Sequence, residues 1–368
     1  MKVELITLQR VPNYGSVLQA YATEKILESL GYEVETINYQ PLRATMKGML
    51  INLKNKNTIL KKSLLVRTII RLIMLPSYIT RFNNFDKFTY KYLNMTNIVY
   101  KSNDELKKNL PISDIYITGS DQVWNSEWNG EIDKALFLDF IPKGKKCISY
   151  AASFGKIKLY ESEKKETKKL LKKYSNISLR EKSGLDILKS LDILNGDVVL
   201  DPTLLLNASE WRKISSNRFK NKKYILMYNL NRNKEIDNYA KKVAKDLNME
   251  LKYITYQVHD FYKYGKMYAN TSVENFLSLI DNAYCVITDS FHGVAFSINF
   301  NTNFIVIPPK KFNTRIDNIL NITNLTNRLV TDENKDIVYK ETINFENINK
   351  IIEKERKKSI SWLKNALK

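Results

Sequence analysis

Two cysteines, Cys147 and Cys285, are all that a chain of 368 residues carries. They are too few and too far apart for a disulfide scaffold or a zinc site. Histidine is as scarce: His259 and His292 are the only two, which excludes a metal centre built from three imidazoles. Eleven Gly and eight Pro exclude collagen-like and linker-like chains. No run of eighteen apolar residues occurs, so no helix is expected to span a bilayer. The opening MKVELITLQRVPNYG lacks a long apolar core and a small-residue cleavage site. No signal peptide is expected, and a reducing cytoplasm is the expected home.

Acids are short too, with 39 Asp and Glu against 59 Lys and Arg, a net charge of +20. Half of that excess is local. Between Leu42 and Tyr92 stand eleven Lys and Arg against the single acid Asp86, a net of +10. A second basic cluster closes the chain from Lys354 to Lys368. Such fields attract nucleic acid, acidic lipid headgroups or phosphorylated substrates. The bland alternative is a Lys- and Asn-rich composition decorating solvated faces. With 43% hydrophobic and 27% charged residues the chain is ordinary for a globular protein. At roughly 100–200 residues per domain, its length favours two lobes.

The pattern opens strand, turn, helix. Val3–Leu8 is an apolar run, Pro12-Asn13-Tyr14-Gly15 is turn chemistry, and from Val17 apolar residues recur at helical spacing until Gly31. Tyr32–Tyr39 alternates as a second strand, which completes a βαβ unit and implies a parallel sheet. Residues 42–110 interrupt the alternation with a basic helix around Ser63–Leu75, a break at Pro76, and an aromatic helix through Phe82, Phe85, Phe88 and Tyr92. In the basic helix Leu64, Leu65, Ile69, Ile70, Leu72 and Ile73 are interspersed with Arg67 and Arg71. These apolar positions either pack on the lobe or lie at a membrane interface. Strands then follow at Asp114–Thr118, Lys146–Ala151, Asn176–Arg180 and Val198–Leu200, with helices from Glu161 to Tyr174 and from Ser183.

The same grammar restarts with strands at Tyr224–Tyr228, Glu250–Thr255, Tyr284–Thr288 and Phe304–Ile307, and helices at Lys234–Leu247, Val273–Asn282 and Phe291–Ile298. A long helix from Glu346 to Leu367 ends the chain. The expected fold class is α/β: two doubly wound Rossmann-like lobes facing a cleft, with a basic helical insertion in the first. The expected domains are 1–205 (insertion about 42–110), 206–345, and a C-terminal helix at 346–368 that can pack back on the first lobe.

In such sheets ligands collect where strands end and helices begin. Four loops of that kind carry suggestive residues: Asn13–Ser16, Gly119–Gln122, Ser178–Lys182 and Asp289–Gly293. Gly15 and Gly119 permit close backbone approach, and helix-start N–H groups bind anions. Equally, Asn13, Ser16 and Ser183 are suited to capping helices. His292 stands at a strand-to-helix junction, where an imidazole can move a proton near neutral pH. His259 reads as structural or exposed. Arg180, followed by Glu181, fits either a surface ion pair or a fork for phosphate or carboxylate. Arg315 poses the same choice.

Taken in order, these segments resemble the polysaccharide pyruvyl transferase family: NYGSVLQAYA (Asn13–Ala22), GSDQVWN (Gly119–Asn125), YAASFG (Tyr150–Gly155), LREKSG (Leu179–Gly184), LDPTLLL (Leu200–Leu206), TDSFHGVAFSI (Thr288–Ile298) and NTRIDNIL (Asn313–Leu320). The likeness spans nearly the whole chain except the basic insertion and the tail. It implies a GT-B-like fold and transfer of pyruvate from phosphoenolpyruvate onto two hydroxyls of a sugar, as a ketal, with phosphate released. It implies phosphoenolpyruvate as co-substrate with no organic cofactor and no obligatory metal. The acceptor it implies is a glycan of the cell envelope, a capsule or exopolysaccharide or its lipid-linked intermediate.

On this resemblance His292 is the general acid; from its loop position, Asp121 is expected to orient or deprotonate the acceptor. Arg180, Arg315, Ser290 and Gly293 bind the donor, and Asn13, Tyr14, Gly15, Ser120 and Gln122 line the acceptor side. Replacing His292 or Arg180 by Ala is expected to abolish transfer with little change in melting temperature. One departure stands out: members of the family often carry an arginine two residues before the histidine, where this chain has Ser290. Either other cations suffice, or the donor differs, or catalysis is lost. A nucleotide-sugar glycosyltransferase and a non-catalytic glycan- or anion-binding relative are the competing readings. Peripheral association with an anionic membrane is a further expectation, and nucleic-acid binding rests on charge alone.

Overall fold

In a computed structural model of the chain, which describes residues 1–56, 64–220, 223–308 and 314–368, the opening apolar run forms strand β1 (Lys2–Ile6). It is joined by β2 (Glu33–Thr36), β3 (Ile115–Thr118), β4 (Lys146–Ala152), β5 (Asn176–Leu179) and β6 (Gly196–Val198). All pairings are parallel, in the order β2-β1-β3-β4-β5-β6. The chain winds outward from β1 to β2, then crosses to β3 on the other side, so the winding reverses between β1 and β3. A second parallel sheet holds β7 (Ile225–Tyr228), β8 (Leu251–Thr255), β9 (Lys266–Ala269), β10 (Cys285–Thr288) and β11 (Asn303–Val306), in the order β11-β10-β7-β8-β9. Here the reversal falls between β7 and β10. Every residue of β3, β7 and β10 is buried. That is why these strands read as unbroken IYIT, ILMY and CVIT, because helices cover both faces of a parallel sheet.

The chain divides into one unit of Met1–Pro202 with Trp362–Lys368, and another of Thr203–Ser361. The final helix, Phe345–Leu367, therefore begins in the second unit and ends in the first. There the Trp362 Nε1 donates to Asp197 at 2.7 Å and its ring lies 6.2 Å from that of Tyr150. Each unit has its own core. In the first, Trp124 stacks on Phe137 at 5.2 Å and meets Phe154 and Tyr174, while its Nε1 donates to the Leu136 carbonyl. In the second, Trp211 and Phe276 both contact Phe296 edge-on.

Gly119 shows why the reversal in the first sheet needs glycine. A Cβ there would lie 2.9 Å from the Thr7 Cβ and 3.1 Å from Leu5. The loops after β1 and β3 approach each other that closely, and Thr7 Oγ1 donates to the Ser120 carbonyl at 3.0 Å.

Several sequence expectations require correction. Pro76 does not break the insertion: one helix runs from Leu64 to Tyr92 with Pro76 inside it. Proline removes one backbone donor and costs about 3 kcal/mol in a helix interior. Pro76 sits on an exposed face, where water can satisfy the abandoned carbonyl, and packing of the aromatic half offsets the rest. The Phe85 ring lies 5.0 Å from Tyr14, and Phe88 lies 6.2 Å from Tyr21. Ser183 is not a helix cap, because the helix Lys182–Ser190 starts one residue earlier. β6 starts two residues before the run Val198–Leu200 and shares only Val198 with it, and β9 has no counterpart in the sequence reading. Its residues are exposed or half-buried, so it carries no apolar run to betray it. The helices Asn103–Lys108, Ala208–Ile214 and Thr314–Thr323 also escaped the periodicity. Lys61, Lys62, Ser63 and Asn313 lie outside the described residues.

Glu4, in the middle of β1, is 0% exposed. Lys2 Nζ lies 3.1 Å from it and 2.7 Å from Glu35. Burial outweighs that cation and pushes the Glu4 carboxyl up to about 8. The folded chain therefore favours the protonated acid, a stabilisation complete below the unfolded value near 4.5 and lost as pH rises through about 8. Unfolding free energy should fall by on the order of 1–3 kcal/mol from about pH 5 to about pH 9 through this group. Glu4→Gln should flatten that dependence in denaturant melts, and an unaltered slope would assign it elsewhere.

Candidate functional site

The first sheet gathers polar side chains past its carboxyl edge from five of its six strands. Arg180, just after β5, is 2% exposed and lies at the centre. Its Nη1 donates to Asp201 Oδ2 at 2.7 Å and its Nη2 to Asp121 Oδ1 at 3.2 Å, while Nε lies 3.9 Å from Glu181 Oε2. Hydroxyls complete the cluster. Ser16, in the helix after β1, donates to Asp121 Oδ2 at 2.6 Å. Ser120 donates to Asp201 Oδ2 at 2.9 Å, and Ser153, past β4, donates to Glu181 Oε1 at 2.6 Å. Burial works against the Arg180 charge, yet the carboxylates of Asp201, Asp121 and Glu181 together raise its pKa above the ordinary value.

Backbone geometry serves the same cluster. Asp121 has φ 73°, in the left-handed region that a non-glycine residue enters at a cost. The Ser153 N–H holds it there by donating to the Asp121 carbonyl at 3.0 Å. Asn13 caps the helix Tyr14–Ser29, accepting from the N–H groups of Gly15 at 2.9 Å and Ser16 at 3.4 Å.

This geometry changes several expected roles. Arg180 was expected to hold an anionic donor; its guanidinium is instead enclosed by three carboxylates, which would repel one. Tyr14 was expected on the acceptor side; it is 0% exposed, with its ring against Phe85. Ser120 is likewise 0% exposed and spent on Asp201. Gly15 is buried, and the half-buried Gln122 accepts from Asn125 at 2.6 Å. Asp121 and Arg180 are brought together, as partners. Asp201 and Ser16 belong to the same network, but the sequence reading gave neither a part in the chemistry. Asp201 stood inside the quoted LDPTLLL, and its position just past a strand was the available signal.

The second sheet builds a separate arrangement at its own reversal. Asp289, past β10, is 2% exposed and accepts from the N–H groups of Leu230 at 2.7 Å and Asn231 at 2.9 Å, and from the Asn231 side chain at 2.9 Å. It thereby ties the β10 loop to the loop after β7. Burial raises the Asp289 carboxyl above its ordinary value, and these hydrogen bonds pull it back only in part. Ser290 caps the helix Phe291–Phe300 by accepting from the Gly293 N–H at 3.4 Å. His292, 6% exposed, stands in the first turn of that helix, edge-on to Phe291 at 5.1 Å. Arg315 is half-buried near the start of the helix Thr314–Thr323. His259 is exposed in a short turn.

Arg232, in the loop that Asp289 holds, was missed by the sequence reading. Its φ is 58° and its Nη2 donates to the buried Asp260 at 2.9 Å, with 45% of the side chain exposed. The crowded Asn229-Leu230-Asn231-Arg232-Asn233 turn was the signal for it.

Two successive doubly wound parallel sheets, each with polar loops past its reversal, define an α/β protein with two Rossmann-like lobes, the GT-B-like plan. Solved structures share it. The glycosyltransferase AviGT4 of avilamycin A biosynthesis matches at a TM-score of 0.52 and 10% identity, over 100% of this chain and 97% of its own. An alpha-glucosyltransferase bound to UDP and a 13-mer DNA matches at 0.51 and 10%, over 99% and 95%. S. aureus MnaA bound to UDP matches at 0.51 and 14%, over 92% and 86%. At these identities the likeness is one of fold. No curated protein sequence matches the chain. The family model for polysaccharide pyruvyl transferase matches residues 13–311, and the chain belongs to that family. Asp121, Arg180, Ser290, His292 and Gly293 all fall inside the match, and Arg315 falls just beyond it.

Two substitutions follow from the packing. Arg180→Ala should strand Asp121 and Asp201 as buried charges and destabilise the chain by about 3–5 kcal/mol, contrary to the expectation of an unchanged melting temperature. Denaturant unfolding would measure this, and a loss near zero would return Arg180 to ligand binding. At Gly293 a Cβ would lie 2.6 Å from Thr288 Oγ1, which is fixed by donating to the Tyr228 carbonyl at 2.8 Å and accepting from the Ser290 N–H at 3.0 Å. Gly293→Ala should therefore cost about 1–3 kcal/mol in a thermal melt.

Proposed function

We propose that this transferase moves the pyruvyl group of phosphoenolpyruvate onto two hydroxyls of one sugar in a cell-surface polysaccharide or its lipid-linked intermediate. The observation that carries the reading is the family match over residues 13–311, with His292 in the first turn of a ten-residue helix inside it. His292 delivers a proton to the methylene carbon of the enol. The adjacent carbon becomes electrophilic and accepts a sugar hydroxyl. The carbon–oxygen bond to phosphate then breaks, phosphate leaves with the bonding electrons, and the second hydroxyl closes the ketal. The acceptor hydroxyls each give up a proton.

Anion binding by the donor rests on the N–H groups at the start of Phe291–Phe300 and on Arg315, with Arg232 as a further cation. Arg180 acts as a positioning residue that holds Asp121 and Asp201. Phosphoenolpyruvate is the co-substrate, and neither an organic cofactor nor a metal is required in this scheme. The reaction is assigned to the cytoplasm, where phosphoenolpyruvate is made. A second reading, a non-catalytic glycan-binding relative, draws on Ser290, which serves as a helix cap where relatives often carry arginine.

Incubation of the purified chain with phosphoenolpyruvate and a glycan acceptor should release phosphate only when both are present. Mass spectrometry should find a pyruvyl ketal on the glycan. His292→Gln should lower that rate by at least about 100-fold with a melting temperature within about 2 °C of the parent. Glycan binding without phosphate release would favour the non-catalytic reading. Consumption of a nucleotide sugar instead would replace the proposed donor.

A further inference from the structure

The helix Leu64–Tyr92 presents two faces of different fate. Phe82, Phe85 and Phe88 are buried, and two of them pack on the rings of Tyr14 and Tyr21. The opposite face leaves Ile69 49%, Leu72 63%, Ile73 63% and Ile79 42% exposed, with Pro76 exposed between them. Steps of three and four residues put them on one stripe, which runs about 15 Å along the helix. The neighbouring helix Met46–Lys56 is linked to it by Arg71, which donates to the Leu50 carbonyl at 3.5 Å. Single exposed apolar residues are ordinary, but a contiguous stripe of them marks a contact surface.

The charge of the segment that carries the stripe selects what covers it. Residues 42–92 carry eleven Lys and Arg and one acid. A second copy of the chain would set that excess against itself. Nucleic acid would match the charge and leave Ile69, Leu72 and Ile73 against phosphate. An anionic bilayer surface takes both, the apolar side chains entering the headgroup boundary and the cations meeting the lipid phosphates. No helix among the described residues is long and apolar enough to cross a membrane, so the contact is one of lying on the surface.

We propose that the helical insertion is a membrane-docking surface, with the face of Leu64–Tyr92 that bears Ile69, Leu72, Ile73 and Ile79 seated in the headgroup region of an anionic bilayer. None of the stripe's residues is assigned to the reaction, so the proposal goes beyond the pyruvyl-transfer reading and stands or falls without it.

Sedimentation of the full chain with vesicles tests it. Vesicles of phosphatidylcholine mixed with phosphatidylglycerol should retain the protein, pure phosphatidylcholine should not, and high salt should weaken retention. Leu72→Gln with Ile73→Gln should lower partition on the mixed vesicles at least about tenfold, with an unchanged melting temperature and unchanged phosphate release. Retention that ignores the double substitution overturns the proposal, as does equal retention on neutral vesicles or none on either. A concentration-dependent dimer that the double variant abolishes, without lipid binding by the parent, would assign the stripe to self-association instead.

Discussion

One guanidinium surrounded by carboxylates organises the carboxyl edge of the first sheet. Arg180 is all but inaccessible, and Asp121, Asp201 and Glu181 converge on it from the loops after β3, β6 and β5. Buried acids repel one another and resist leaving water, so without the cation these loops would be pushed apart. With it, hydroxyls from Ser16, Ser120 and Ser153 can occupy the remaining lone pairs. The left-handed backbone at Asp121 is held by the same arrangement. The edge is thus a single network, in which each loop is positioned by the others.

The second unit solves the equivalent problem with a carboxylate and amides. Asp289 gathers backbone and side-chain N–H groups from the loop after β7, which locks that loop to the start of the helix carrying His292. Gly293 lets the helix descend onto Thr288. In the second unit the fastening falls where the winding of the sheet reverses, the place where two loops diverge and leave room for a ligand. The imidazole is therefore mounted on a rigid support, as the proton delivery proposed for it asks.

Much of the fold was legible because burial on both faces forces strands into apolar runs and covering helices into amphipathic ones. β3, β7 and β10 were visible for that reason. β9 was not, since its residues are exposed or half-buried, and Pro76 misled because its cost is real but is outweighed by aromatic packing elsewhere on the same helix. The motifs pointed to loops at strand ends, and the structure gives the side chains in them different surroundings. His292, Asp121 and Arg180 all lie where strands end. Tyr14, read as facing a ligand, is core, and Asp201, read only as part of a motif, is a direct partner of Arg180.

The chain's own pattern determined its class, its fully buried strands and the strand-end loops rich in polar residues, because those follow from local periodicity and from residue types at strand ends. Only the tertiary structure decided what each polar group does. Whether Arg180 greets an incoming anion or neutralises three resident carboxylates depends on residues 59 positions before it and 21 after it. Whether Ile69, Leu72 and Ile73 form core or surface depends on which side of a long helix meets Tyr14 and Tyr21. Charge pairing and burial are properties of distance in space, and spacing along the chain does not encode them.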